Sequence, residues 1–473
     1  MSFALIALFW GLAAWGIGSR QPVLLYLYFA SMPFGAFAVV PTALTGGLTF
    51  TATPMIALML VARAFARRDG PAVALGLALR PNRLLLLFLY GCVAIIVTVF
   101  MPRLFAGSVQ VIAVRGGNLD QVVALRPTMQ NISQLAYLLI SIMSVFAFAR
   151  ILQSSWVRQQ ALQALCLGGA VTALTGFADF ASQFLPLSSL LEPFRTATYA
   201  LAIDVEVLGG KRVVGLMPEA SAYGGLCLAF LCAIYFLRPA IASHRLRETY
   251  APMVLITLLA CAWIAKSSGT YVGLGLFFVI AALEWFLRIN ARSRPDQRGI
   301  VGELALVVGL VIAVSLVLIV RPDTLSPVYD IIDRMVLQKG ASDSFNQRGM
   351  WRAVAAASLI DTHGLGVGLG AARTSSSMVA VFSSTGLLGG MLYYAFVIQS
   401  LARGTRALTQ EARLLLSGFR FSFFPGFVVA LMVGDADFGG MLAFGFGLVA
   451  ALSHSAASPR NPNLQRMLQQ SVQ

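Results

Sequence analysis

Arg212, Gly215, Glu219 and Ser221 stand in an R-x-x-G-x-x-x-E-x-S pattern within KRVVGLMPEASAY, residues 211–223, just ahead of a long apolar stretch. Gly215 and Pro218 argue against a regular helix there, so the acid is expected on a turn where the chain enters a bilayer. A carboxylate at that depth is costly unless it is paired or used. An Arg–Glu pair that merely anchors a helix end is the plain alternative.

A second group lies in DSFNQRGMWRAVAAASLID, residues 343–361. Asp343 or Ser344 can cap a helix lying on the membrane. Arg348 and Arg352 are four apart and share its face. Two guanidiniums backed by Trp351 can hold a diphosphate in bidentate fashion, although contact with ordinary lipid headgroups explains them too. The next segment is HGLGVGLGAARTSSS, from His363 to Ser377. Gly364, Gly366, Gly368 and Gly370 lack dinucleotide-fingerprint spacing, but their backbone amides can form an anion nest. Arg373 follows directly. The alternative is a re-entrant turn with no ligand.

Weaker candidates complete the set. His363 beside Asp361 can serve as a general base, or simply end a helix. His244 and His454 read as ordinary loop residues. Asp435 and Asp437 in VGDADFGG can bind a cation or a sugar hydroxyl, though turn chemistry also explains them. Lys266 in AKSSGTYVG can complement an anionic lipid head or snorkel. The five cysteines all fall in apolar stretches and read as packing residues, not disulfides or zinc ligands. Walker, zincin and kinase patterns are absent, and neither a metal nor a cofactor is expected.

The elements that must position these residues follow from composition. The 473-residue chain is 58% hydrophobic and 11% charged, with a net charge of +15. So few charges cannot clothe a water-facing surface, which excludes a nucleic-acid partner and indicates an all-α polytopic membrane protein. Stretches long enough to cross a bilayer fall near 2–18, 22–40, 46–62, 84–101, 131–149, 159–178, 220–237, 250–265, 269–287, 300–320, 378–400, 417–433 and 437–453. That gives about 12–13 transmembrane helices. Residues 2–18 lack a basic lead and a cleavage site, so they read as a first span. No repeat of 20–50 residues is evident.

Sorted by side, one set of connections holds 21 basic and six acidic residues, and the other holds 13 of each. The arginine-rich side is expected to be cytoplasmic, together with a disordered tail at 454–473. The long connections 102–130, 179–219 and 321–377 then lie outside, so chemistry is expected at the outer face.

The order of these motifs resembles the O-antigen ligase and polymerase superfamily of bacterial membrane glycosyltransferases, nearest its exopolysaccharide-polymerase branch. It runs R-x-x-G-x-x-x-E-x-S before a span, SSGT between spans, N-x-R-x-x-W in a large outer loop, HGLGVGLG, then SSTGLLGGMLYY opening the next span. The resemblance covers roughly residues 205–400. It implies a C-type glycosyltransferase fold with N-terminal helices over 1–204, a catalytic region over 205–400 that includes periplasmic loop 321–377, and C-terminal helices over 401–453. It also implies residence in the bacterial inner membrane with a periplasmic active face and metal-independent, inverting transfer. The donor would be an undecaprenyl-diphosphate-linked glycan and the acceptor a second glycan, with chain-length regulator or export proteins as possible partners. By position Arg212, Arg348 and Arg373 match the family's outer arginines, which contact the diphosphate, and Arg352 and Lys266 stand beside them. Ligases carry a histidine beyond the glycine turn, where this chain has Arg373-Thr374-Ser375. The departure favours a polymerase with Glu219, or His363, as the base, over a ligase acting on lipid A core. A lipid-linked sugar transporter is the reading from a different class.

Overall fold

The computed structural model describes residues 2–290 apart from 42–43, 46–48, 67, 115–120, 200 and 208–209, and residues 343–457 apart from 405–407. The expected span at 300–320 with Glu303, the loop section 321–342 and the tail beyond 457 lie outside the described residues.

The described residues are mostly helical, as the composition requires. In order it forms α1 (Ser2–Gly18), α2 (Val23–Ser31), α3 (Ala52–Phe65), α4 (Gly70–Ala78), α5 (Leu85–Leu104), β1 (Gln110–Ile112), β2 (Val122–Ala124), α6 (Met129–Ile151), α7 (Ser155–Ala181) and α8 (Ser188–Leu191). There follow β3 (Glu206–Val207), β4 (Gly210–Lys211), α9 (Ala220–Leu237), α10 (Ala251–Ile264), α11 (Ser268–Ile289), α12 (Asp343–Asp361), α13 (Ser377–Leu401), α14 (Gln410–Val433) and α15 (Gly439–Ala457). The strands make two small antiparallel hairpins, β1–β2 and β3–β4. Among the described residues, seven helices are long and apolar enough to cross a membrane: α5, α6, α7, α9, α11, α13 and α14. This is an all-α polytopic membrane protein.

Among the described residues, one expected span does not form as a single helix, for a local reason. The stretch at 22–40 was expected to cross as one helix, but α2 stops at Ser31. Pro33 has no N–H with which to continue the helical ladder, and Gly35 weakens any continuation. The segment then runs on without helix and is held by the loop-rich end of the bundle. The Ala36 N–H donates to the Leu216 carbonyl at 2.9 Å and the Ala38 N–H to the Thr196 hydroxyl at 3.0 Å. Irregular backbone at such depth survives only where protein or a cavity surrounds it. The expected span at 46–62 becomes a 14-residue helix, α3, whereas the one at 250–265 forms as α10, entered directly from a π-helical turn over Leu246–Tyr250.

Close packing rests on small residues, as expected where lipid gives helices no hydrophobic reason to associate. Gly176 of α7 leaves room for the Tyr223 side chain, whose hydroxyl donates to the Thr172 carbonyl at 2.9 Å. A T-shaped aromatic core joins α2, α6 and α15, with Phe29–Phe444 and Tyr28–Phe148 ring centroids both 5.1 Å apart. The two ends of the bundle differ in charge. One carries the ion pairs Arg150–Asp69 and Arg158–Glu411, at 3.0 and 2.7 Å, all four residues belonging to the set that sequence had sorted onto one side. The other end carries the hairpins, the 205–219 loop, α12 and the glycine-rich turn.

Candidate active site

The 205–219 loop is built around a residue to which sequence reasoning gave no role. Asp179, fully buried near the end of α7, accepts the Val214 and Gly215 N–H groups on one carboxylate oxygen, at 2.7 and 3.1 Å. Its other oxygen pairs with Arg195 at 3.0 Å. Gly215 has φ +57, a conformation that a side chain strains, and a Cβ there would also crowd Tyr223. An acid at the end of an apolar span was the available signal. Asp179 thereby fixes the backbone that presents Arg212 on one side and Glu219 on the other.

Glu219 is the extended residue immediately before α9, and it is exposed. The Ser221 hydroxyl donates to its carboxylate, so the serine in the motif orients the acid. Arg212 reaches toward the start of α11, its Nε donating to the Ala265 carbonyl at 3.3 Å. Burial lowers its pKa; Glu219 and Tyr271 oppose that shift, and Arg348 adds to it. Residues from the loop, α11 and α12 therefore lie within electrostatic reach of one another. Lys266, at φ +46, donates from Nζ to the Gly210 carbonyl at 3.2 Å and so ties hairpin β3–β4 to the turn before α11.

α12 forms as expected, with Arg348 and Arg352 one turn apart and both partly buried. The Ser375 hydroxyl donates to the Arg348 carbonyl at 3.1 Å, bringing the segment after the glycine turn against the helix. Arg373 stacks on Trp351, its guanidinium carbon 5.0 Å from the ring centroid. Its backbone N–H donates to Ile112 of β1, and its side chain donates to the Val114 carbonyl. The Arg373 Nε is buried with no hydrogen-bond partner among the described residues. Burial lowers its pKa, opposed by Asp435 and Glu219. Arg212 and Arg373 thus lie within electrostatic reach of one exposed carboxylate and Arg348 within reach of Arg212, with Trp351 stacked on Arg373.

The glycine-rich turn does something other than expected. Its four glycines all have φ between +72 and +87. Their neighbourhood does not form an open anion nest, because the amides are already used. The Gly366 N–H donates to the Thr362 hydroxyl, Val367 and Gly368 to the Ser383 and Ser384 carbonyls, and Leu369 to the Thr98 hydroxyl. The turn is a docking piece wedged between α5, α6 and α13. A Cβ on Gly366 would stand 2.6 Å from the backbone nitrogen of Gly386, itself at φ +73 where α13 kinks. Asn131 at the start of α6 fastens it by donating to the Leu369 carbonyl at 2.7 Å.

His363 occupies the left-handed position that ends α12, at φ +52. Its N–H donates to Ile360 and the Gly364 N–H to Leu359, both at 2.8 Å, a Schellman cap. Among the described residues no hydrogen bond or ion pair joins its ring to the arginine cluster. The helix-end role accounts for its position.

No model of a known family matches the chain, and no curated protein matches it either. Fold and composition define the class, a polytopic all-α membrane protein; any activity is argued from the site.

Proposed function

We propose that this protein is a glycosyltransferase of the outer face of a bacterial inner membrane, polymerising undecaprenyl-diphosphate-linked repeat units into a surface polysaccharide. The observation that carries the reading is that Arg212 and Arg373 lie within electrostatic reach of Glu219 at one end of the bundle, with Arg348 tied to the Arg373 segment through Ser375 and within reach of Arg212. Three guanidiniums suit a leaving diphosphate, because each forms forked, charge-assisted bonds to phosphate oxygens. An exposed carboxylate among them suits proton removal from an incoming hydroxyl.

The acceptor hydroxyl oxygen attacks the anomeric carbon of the donor sugar and a new C–O bond forms. The bond from that carbon to the diphosphate oxygen breaks, and the electron pair leaves with the diphosphate. Glu219 takes the hydroxyl proton, and inversion follows from attack opposite the leaving group. Arg212 and Arg348 stabilise charge that builds on the diphosphate, and Arg373, braced by Trp351, completes the cradle. Confinement of donor and acceptor near the membrane plane lowers the entropic barrier.

Deleting the gene in its native bacterium tests this reading. Single repeats accumulating on undecaprenyl diphosphate are the expected result. Full-length chains left on that carrier would instead mean a ligase, and an unchanged glycolipid pool would remove the reading altogether. A transporter of lipid-linked sugars is favoured by one observation, the non-helical backbone that follows the end of α2, since unwound segments often line transport sites. Translocation of lipid across a reconstituted bilayer without glycan growth would decide for it.

A further inference from the structure

A second feature lies close to the arginine cluster, across the short connection between α14 and α15. Asp435 in that connection acts electrostatically on Arg373. Two residues on, Asp437 lines a cavity of about 320 Å³. The break in α2 forms one wall, with Met32 and Gly35, and the start of α3 forms another, with Thr51 and Pro54. This is the irregular backbone noted above, and the cavity gives it a reason to exist.

Several of the polar groups around the cavity share one property. The Tyr28 hydroxyl donates its hydrogen to the Gly440 carbonyl at 2.9 Å, Tyr137 to the Thr49 carbonyl, and Ser144 to the Ile140 carbonyl at 2.7 Å. Ser141 hydrogen-bonds the Asp437 carboxyl, which also accepts the Gly439 N–H at 3.1 Å. With their hydrogens committed, these hydroxyls offer lone pairs, and Asp437 offers carboxyl oxygens. A ligand that meets these groups must therefore bring hydrogens to donate. Apolar and aromatic surface makes up most of the remaining wall, from Met32, Pro54, Ile140, Leu226 and Phe438. A bare cation wants a tight cage of oxygens. A cavity of this size, largely apolar with a few convergent acceptors, is the kind that takes a small organic ring.

We infer that this cavity is a saccharide subsite, which takes one sugar ring of the acceptor glycan through the hydroxyl hydrogens that ring donates to Asp437, Tyr28 and Tyr137. Its assignment to the acceptor rests on the glycosyl-transfer reading; the sugar binding does not. Sugar faces rich in C–H lie against the tyrosine rings and Phe438, while the vicinal hydroxyls meet the carboxyl in charge-assisted bonds. The ring is held beside the connection whose other acid acts on Arg373, so a neighbouring hydroxyl of the same glycan is offered to Glu219.

The test uses full-length protein in lipid nanodiscs free of glycoside detergent. Saturation-transfer NMR is recorded with D-glucose, D-galactose, N-acetyl-D-glucosamine and L-rhamnose. At least one should give a saturable signal, weakened roughly tenfold by Asp437→Asn, the worth of one charge-assisted bond exchanged for a neutral one. Ala57→Leu, which fills the cavity from α3 and leaves Asp437 unchanged, should abolish it, and guards against a folding defect in the first variant. Three results would overturn the inference: no saturable signal from any of the four sugars, a signal unchanged in both variants, or Asp437-dependent stabilisation by sodium chloride in place of sugar binding. Polymer assays on the same samples keep the two readings apart. Sugar binding without transfer by the wild type removes the enzyme and leaves the subsite. Transfer undiminished in Ala57→Leu removes the subsite and leaves the enzyme.

Discussion

Replacing Asp179 by alanine tests whether the candidate site depends on a buried carboxylate 33 residues upstream of Arg212 in sequence. Three donors lose their acceptor at once: the Val214 N–H at 2.7 Å, the Gly215 N–H at 3.1 Å and the Arg195 guanidinium at 3.0 Å. Asp179 is fully buried and the Arg195 side chain is only 9% exposed, so water repairs little of this. A buried N–H left unpaired costs about 1–3 kcal/mol. Stranding a buried charge costs about 3–5 kcal/mol. These losses share one loop that relaxes as a unit, so they do not add in full, and the expected destabilisation is about 3–5 kcal/mol. Asp179→Asn keeps one acceptor oxygen and should lose less than Asp179→Ala. Reversible unfolding by sodium dodecyl sulfate in mixed micelles measures both. Limited proteolysis reports separately on the loop, and cleavage between residues 205 and 218 should quicken in the alanine variant. An alanine variant within about 1 kcal/mol of wild type, with unchanged proteolysis, would refute the claim that Asp179 holds the site.

Four further outcomes are expected. Arg348→Ala and Glu219→Gln should each lower glycan transfer by about 10²–10³-fold with folding intact, measured as polymer formed by purified protein. Gly386→Ala should destabilise the protein, because a Cβ there meets the Leu365 carbonyl oxygen at 2.5 Å from a left-handed backbone, and thermal unfolding in detergent reads this directly. Asp437 has its pKa raised by burial, with Ser141 and the Gly439 N–H opposing the shift. Its contribution is therefore fully present below the unfolded-state pKa and is lost as pH rises through the raised folded value. Wild type should accordingly lose stability relative to Asp437→Asn as pH climbs through that window. His363→Gly should keep the helix end and His363→Val should weaken it, since only the first suits φ +52; helix-end protection in hydrogen exchange distinguishes them.

Much of the architecture was legible because apolar runs are long and charges are few. The spans at 84–101, 131–149, 159–178, 220–237, 269–287 and 378–400 appear as helices within a few residues of their expected limits. The span at 22–40 failed because hydropathy does not register the N–H that Pro33 lacks or the helix-weakening effect of Gly35. In the candidate site, Arg212, Glu219, Arg348 and Arg373 were visible as charged residues in short motifs, and the structure brings them to one mouth. Asp179 and Arg195 were not visible as a pair, because 16 residues of helix end and loop separate them. The glycine turn was misread for an instructive reason: alternating glycines announce positive φ, but not whether their amides stay free. Here neighbouring carbonyls and hydroxyls of α5, α12 and α13 take them.

The most direct test of the central claim is glycan transfer by the purified protein in liposomes supplied with undecaprenyl-diphosphate-linked repeat units. The account predicts a ladder of polymer on the lipid carrier from wild type, with Glu219→Gln and Arg348→Ala forming it at least about a hundredfold more slowly. A wild-type protein that forms no longer glycan, or variants as fast as wild type, would contradict it.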